Sequence, residues 1–137
     1  MPEGVGYGPQ NTASVGENLN IIGNHAYCFT GNHSANTTAV EAMKFTTGSF
    51  IFKGILQVNL AINNANNTAT AHTFAQVEFN GTIISHIVAG RDPLDTRTSN
   101  QQPLVIPPYT EVVVKLYSSE NEAARYMTAT LTGRIYK

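Results

Sequence analysis

The stretch Thr70-Ala71-His72-Thr73-Phe74-Ala75-Gln76-Val77-Glu78-Phe79-Asn80-Gly81-Thr82-Ile83-Ile84-Ser85-His86-Ile87-Val88-Ala89 decides the fold. Two runs rich in β-branched and aromatic residues flank Asn80-Gly81, the dipeptide best suited to a type I′ turn, which needs positive φ at both central positions. The reading is a β-hairpin of Thr70–Phe79 and Thr82–Ala89. A two-residue loop fixes the register by counting outward: Phe79 opposite Thr82, Val77 opposite Ile84, Ala75 opposite His86 and Thr73 opposite Val88. The other face then carries Glu78 beside Ile83, Gln76 beside Ser85 and Phe74 beside Ile87. Both faces are partly apolar, so one covers the domain core. The other, with Phe74, Ile83 and Ile87, has to be covered by a loop or by another subunit.

Period-two alternation continues on both sides of this hairpin. Phe50, Phe52, Leu56, Val58, Leu60 and Ile62 share one parity, with Ser49, Lys53, Gln57 and Asn59 on the other, which predicts a strand over Phe50–Ile62. Gly54 falls at the one gap in the apolar series and is read as a bulge or bend. Glu111–Tyr117 turns Val112, Val114 and Leu116 inward. Arg125–Tyr136 does the same with Met127, Ala129, Leu131 and Ile135. His25–Thr30 is a short strand. Thr37–Thr46 is read as a strand in preference to one helical turn around Ala39–Met43, on its β-branched ends and brevity. Gly90–Pro108, broken by Pro93, Pro103, Pro107 and Pro108, reads as an ordered loop between sheets. Seven or eight such strands predict an all-β fold, an antiparallel β-sandwich over residues 21–137. Residues 1–20, rich in Gly, Pro, Asn and Ser, form an extended arm in which Val5 and Tyr7 are the candidate anchors on a neighbour.

Composition narrows the function. Charged residues make up 12% of the 137, about half the usual share, and uncharged polar residues suited to strand faces and turns replace them. A net charge of −1 supplies no field for nucleic acid or an anionic membrane. The apolar runs are too short for a membrane helix. Residues 1–10 lack the basic start and apolar core of a secretion signal, so synthesis in a cytoplasm without classical export is expected. The single cysteine, Cys28, permits neither an internal disulfide nor a thiol pair for zinc.

A reactive centre is not legible. The histidines 25, 33, 72 and 86 lack the spacing of a helical metal pair, and the hairpin register sets His72 and His86 on opposite faces. Asp92 and Asp95 flank Pro93-Leu94 in a manner that suits turn capping better than a carboxylate pair. His25 and Cys28 point to opposite faces of one strand, which argues against a catalytic couple. Gly4-Val5-Gly6-Tyr7-Gly8 precedes no strand–helix unit, so it is no phosphate cradle. The expectation is a protein that is not an enzyme and holds no cofactor or metal.

Three features together carry a resemblance. Val5-Gly6-Tyr7-Gly8-Pro9 lies in a Gly- and Asn-rich arm. Pro103-Leu104-Val105-Ile106-Pro107-Pro108-Tyr109-Thr110-Glu111-Val112-Val113-Val114 leads into a Val-rich strand, and Thr130-Leu131-Thr132-Gly133-Arg134-Ile135-Tyr136 forms a last strand. The pattern resembles the small jelly-roll structural proteins of tailed bacteriophages, head decoration or cement proteins in particular. No functional residue of that family is carried over. The resemblance implies a jelly-roll-like fold and a virion protein made in the host cytoplasm. It further implies a homotrimer seated on the outside of the shell, binding the major capsid protein and tying capsomers together without covalent chemistry. The alternative is a receptor- or carbohydrate-binding head of a tail fibre or spike.

Overall fold

The computed structural model describes residues 18–62, 72–89, 97–119 and 122–137. Among them are ten strands and no helix: β1 (Asn20–Ile22), β2 (His25–Phe29), β3 (His33–Ala35), β4 (Val40–Thr46), β5 (Ile51–Ile62), β6 (Thr73–Phe79), β7 (Thr82–Ala89), β8 (Arg97–Ile106), β9 (Glu111–Ser118) and β10 (Glu122–Tyr136). All pairings are antiparallel. A six-stranded sheet runs β1-β2-β10-β5-β8, with β3 continuing beside β10, and it packs against a four-stranded sheet β4-β9-β6-β7. The chain is a ribbon folded back on itself, β2 on β10, β4 on β9, β5 on β8 and β6 on β7. Rolling that ribbon places β10 beside β5 and β9 beside β6, which is the double-sheet arrangement of a jelly roll.

The alternation read from the sequence builds the core between the sheets. Phe52, Leu56, Val58 and Leu60 of β5 meet Val112, Val114 and Leu116 of β9, with Met127, Ala129, Leu131 and Ile135 of β10 alongside, all buried. Strand pairing begins at Asn20, and Leu19 is already buried in this core.

Gly54 is not a bulge. The register of β5 runs without a break past it on both sides, opposite Gly133 on β10 and Leu104 on β8. The two glycines face each other on the inner surface, and the ring of Phe52 lies over both. A Cβ on Gly54 would come within 2.6 Å of that ring and run into the Thr132 carbonyl oxygen. The gap in the apolar series is a socket for an aromatic ring.

The expected loop over Gly90–Pro108 is half strand, since residues 97–106 form β8. Pro103 is tolerated there because β8 is, among the described residues, the sheet's outermost strand and pairs with β5 alone. In β4, Ala42 is an extra residue between Glu41 and Met43 in the pairing with β9, so Ala42 and Met43 are both buried. That local break in phase produced the helix-like spacing around Ala39–Met43.

The Asn80-Gly81 turn forms as read, with φ of 52° and 83°. The register holds for Phe79–Thr82 and Glu78–Ile83 and then slips by one: Val77 pairs with Ser85, Gln76 with His86, Ala75 with Ile87 and Phe74 with Val88. Ile84 is the residue left over, a bulge that the turn gives no hint of. Every side chain of β7 beyond it therefore changes face. Ile87 and Ala89 enter the core with Ala75 and Thr73.

Candidate functional site

The hairpin face expected from the sequence does not hold together. Phe74 is half-buried and stacks on Tyr117 of β9, with ring centroids 5.0 Å apart. Ile83 is 51% exposed, whereas Ile87 is 3% exposed and belongs to the domain's own core. The bulge at Ile84 is the cause. Val5 and Tyr7 lie outside the described residues.

Ile84 and Val88 of the same sheet are also exposed, and beside them the outer surface carries polar groups that satisfy one another. Gln76 Nε2 donates to Glu78 Oε2 at 2.7 Å, Lys115 Nζ stands 3.1 Å from the same oxygen, and His86 Nε2 is 3.1 Å from Gln76 Oε1. The Gln76 hydrogen bond, followed by Lys115, holds the Glu78 carboxyl below the usual glutamate value. The bulge also brings His72 and His86 onto one outer face, contrary to the sequence-based register. They are still no metal pair: His86 sits at Gln76, and His72 lies four residues further along the strand, about 13 Å away. Asp92 and Asp95 lie outside the described residues. Cys28 is buried, and His25, on the opposite face of β2, is exposed. Among the described residues no three His, Cys, Asp or Glu side chains gather as a metal site would require.

The outer face of the six-stranded sheet is different. Of the described large apolar side chains that remain exposed, Ile22, Phe29, Ile51, Ile55, Val105 and Tyr136 all project from it. The strand registers sort them. Near the middle of β10 lies an uncharged ladder, in which Gln101 Nε2 donates to Gln57 Oε1 (3.3 Å), Gln57 Nε2 to Asn59 Oδ1 (3.0 Å) and Asn59 Nδ2 to Thr128 Oγ1 (3.3 Å). Toward the end of β10 lie Ile55, Val105, Ile51 and Tyr136, an apolar field. Through it runs one basic rung. Arg134 is directly opposite both Lys53 and His25. Lys53 Nζ lies 5.5 Å from the Tyr136 ring centroid. Like charges directly opposite each other are unfavourable on a sheet, and among the described residues no carboxylate is paired with either cation.

At the same end of the sandwich stands Tyr109, 72% exposed. Its φ of 55° is a left-handed conformation that a tyrosine rarely adopts. The surroundings impose it. Thr47 Oγ1 donates to the Pro107 carbonyl at 2.8 Å and accepts from Thr110 N–H at 2.8 Å, and Tyr109 N–H donates to the Gly48 carbonyl at 2.9 Å. A rigid clamp thus presents a ring to solvent.

A second feature lies on the β1 side. A shallow groove of about 580 Å³ is lined by Ile22, His25, Tyr27, Phe29, Thr132 and Arg134. Tyr27 and Phe29 lean together with ring centroids 4.9 Å apart.

The sequence held one signal for this face. Ile51 and Ile55 sit at the parity that otherwise carries Ser49, Lys53, Gln57 and Asn59, so apolar residues were visibly placed on a nominally polar face. Comparison with protein families and with curated proteins found no match.

Proposed function

We propose that this protein is a non-enzymatic structural component of a virion, a capsid decoration or cement protein that seats on the outside of the shell. The observation that carries the reading is the apolar field of Ile51, Ile55, Val105 and Tyr136, left uncovered on the wide sheet, with the clamped ring of Tyr109 at its rim. An exposed patch of clustered large apolar side chains marks a contact surface on a folded domain. Aromatic anchors on rigid supports are the residues that dominate such contacts. The partner in this reading is the major capsid protein, with self-association as a homotrimer.

The test is cosedimentation with assembled shells. The wild-type protein is expected to pellet with them at a fixed stoichiometry, and Val105→Glu is expected to stay in the supernatant while keeping its thermal transition. Val105 is 56% exposed, so the free domain tolerates the charge, whereas burying it unpaired under a shell is costly. Equal pelleting of the two proteins would remove this face from the contact. Absence of wild-type pelleting would remove the shell.

A second reading, a receptor- or carbohydrate-binding head, is favoured by the groove beside Tyr27 and Phe29.

A further inference from the structure

The groove between β1, β2 and β10 adjoins the apolar field along β10, where Arg134 borders both, and its lining has a particular chemistry. We infer that it binds a carboxylate-bearing sugar, the acidic terminal residue of a glycan. The inference rests on the carbohydrate-binding reading, and its test is distinct from that of docking on a shell, which is read by substitution at Val105 on β8.

The groove's volume of about 580 Å³ lies within the range of small-ligand sites. Tyr27 and Phe29 give it an aromatic wall on which the C–H face of a ring can rest, and Ile22 closes the outer side. Thr132 is exposed directly opposite Tyr27, and its hydroxyl stands beside that wall as donor and acceptor. The charge is of one sign. Arg134 is exposed opposite His25, with Lys53 on its far side, and among the described residues no carboxylate answers them. A guanidinium fork matches a carboxylate through two parallel hydrogen bonds. Inorganic phosphate would meet the charge but leave the aromatic wall unused. A neutral hexose would use the wall and leave Arg134 and Lys53 repelling each other.

An acidic peptide is the competing occupant, and the geometry disfavours it. Peptides that extend a sheet do so through main-chain hydrogen bonds at a free edge, which here, among the described residues, is the outer side of β1, beyond the groove floor. The backbone groups of β2 and β10 on the groove floor are engaged in their own ladder, from Thr130–Phe29 to Arg134–His25. Recognition there has to come from a hydroxyl, an imidazole, a guanidinium and ring faces. That set suits a polyhydroxylated acid.

The experiment is a heteronuclear NMR titration of the full chain with 3′-sialyllactose, with lactose as the neutral control. Saturable shifts of the amides of residues 22, 25–29 and 132–134 are expected at millimolar sialyllactose, an affinity near the weak end of specific binding, about 1 mM. Lactose is expected to bind at least tenfold more weakly. Arg134→Gln should weaken sialyllactose binding at least tenfold, and Tyr27→Leu, which keeps bulk but removes the ring, should do the same. The dispersion of each variant's spectrum reports that it is folded. The proposal is overturned by equal affinity for the two sugars, by shifts confined to other residues, or by tighter binding of a synthetic peptide of residues 1–17. Those outcomes leave the shell reading untouched, since it is read by cosedimentation.

Discussion

Gly54→Ala offers the sharpest test of how this sandwich is held together. Glycine inside a strand ordinarily weakens it, so an alanine at an unstrained position gains about 0.4–1 kcal/mol through the unfolded chain. Here the opposite sign is expected. The added Cβ would lie 2.6 Å from the Cε1 and Cζ atoms of Phe52 and would meet the Thr132 carbonyl oxygen more closely still. The ring could turn away only by leaving its buried socket. The carbonyl belongs to β10, which pairs with β5 over twelve residue pairs and cannot shift locally. Overpacking a core costs about 1–3 kcal/mol where side chains can adjust, and a clash with fixed backbone belongs at or above the top of that range. A net loss of about 3 kcal/mol is expected, a large share of the 5–15 kcal/mol that stabilises a typical domain. Urea denaturation monitored by tyrosine fluorescence measures it directly. Phe52→Ala should cost about 3–5 kcal/mol alone. Combined with Gly54→Ala it should cost clearly less than the sum, because the ring component of the clash is gone. A Gly54→Ala protein within about 0.5 kcal/mol of wild type, the scatter of surface substitutions, would refute the socket.

Three further outcomes are expected. Ile87→Asp should prevent folding, since it buries a charge in the core, whereas Ile83→Asp should leave the melting temperature nearly unchanged; circular dichroism separates them, and equal effects of the two substitutions would restore the unbulged register, which sets both residues on one face. Thr73 is fully buried and its hydroxyl has no hydrogen-bond partner among the described residues, so Thr73→Val should raise stability by about 1 kcal/mol in the same urea assay. Glu78 has its carboxyl pKa lowered in the folded state by Gln76 and Lys115. Its contribution is therefore present at neutral pH and lost as pH falls through and below the ordinary glutamate range. Glu78→Gln should flatten the melting temperature across that acidic interval, and an unchanged pH profile would show that the network contributes nothing.

Period-two patterning alone determined that this chain is an all-β sandwich, and it correctly named the inward faces of β5, β9 and β10. Those elements were legible because side chains alternate strictly along a strand while one face is buried. The Asn80-Gly81 turn was legible for a similarly local reason, the positive φ that both positions require. Residues 97–106 were not legible as a strand, because only its place at the edge of the sheet makes Pro103 acceptable. The bulge at Ile84 was decided by packing as well. One extra residue put Ile87 and Ala89 into the core, so it split the Phe74, Ile83 and Ile87 face that counting from the turn had assembled. Gly54 carried a visible gap but no indication of what filled it, since the answer lies on another strand and in the ring two residues away. The candidate surface follows the same division. Ile51 and Ile55 were out of pattern in the sequence, but Val105, Tyr136, Tyr27, Phe29 and Arg134 come from three other strands. Only the pairing of β2, β10, β5 and β8 brings them to one face, and these strands lie far apart in the sequence with no short turn to set one against the next.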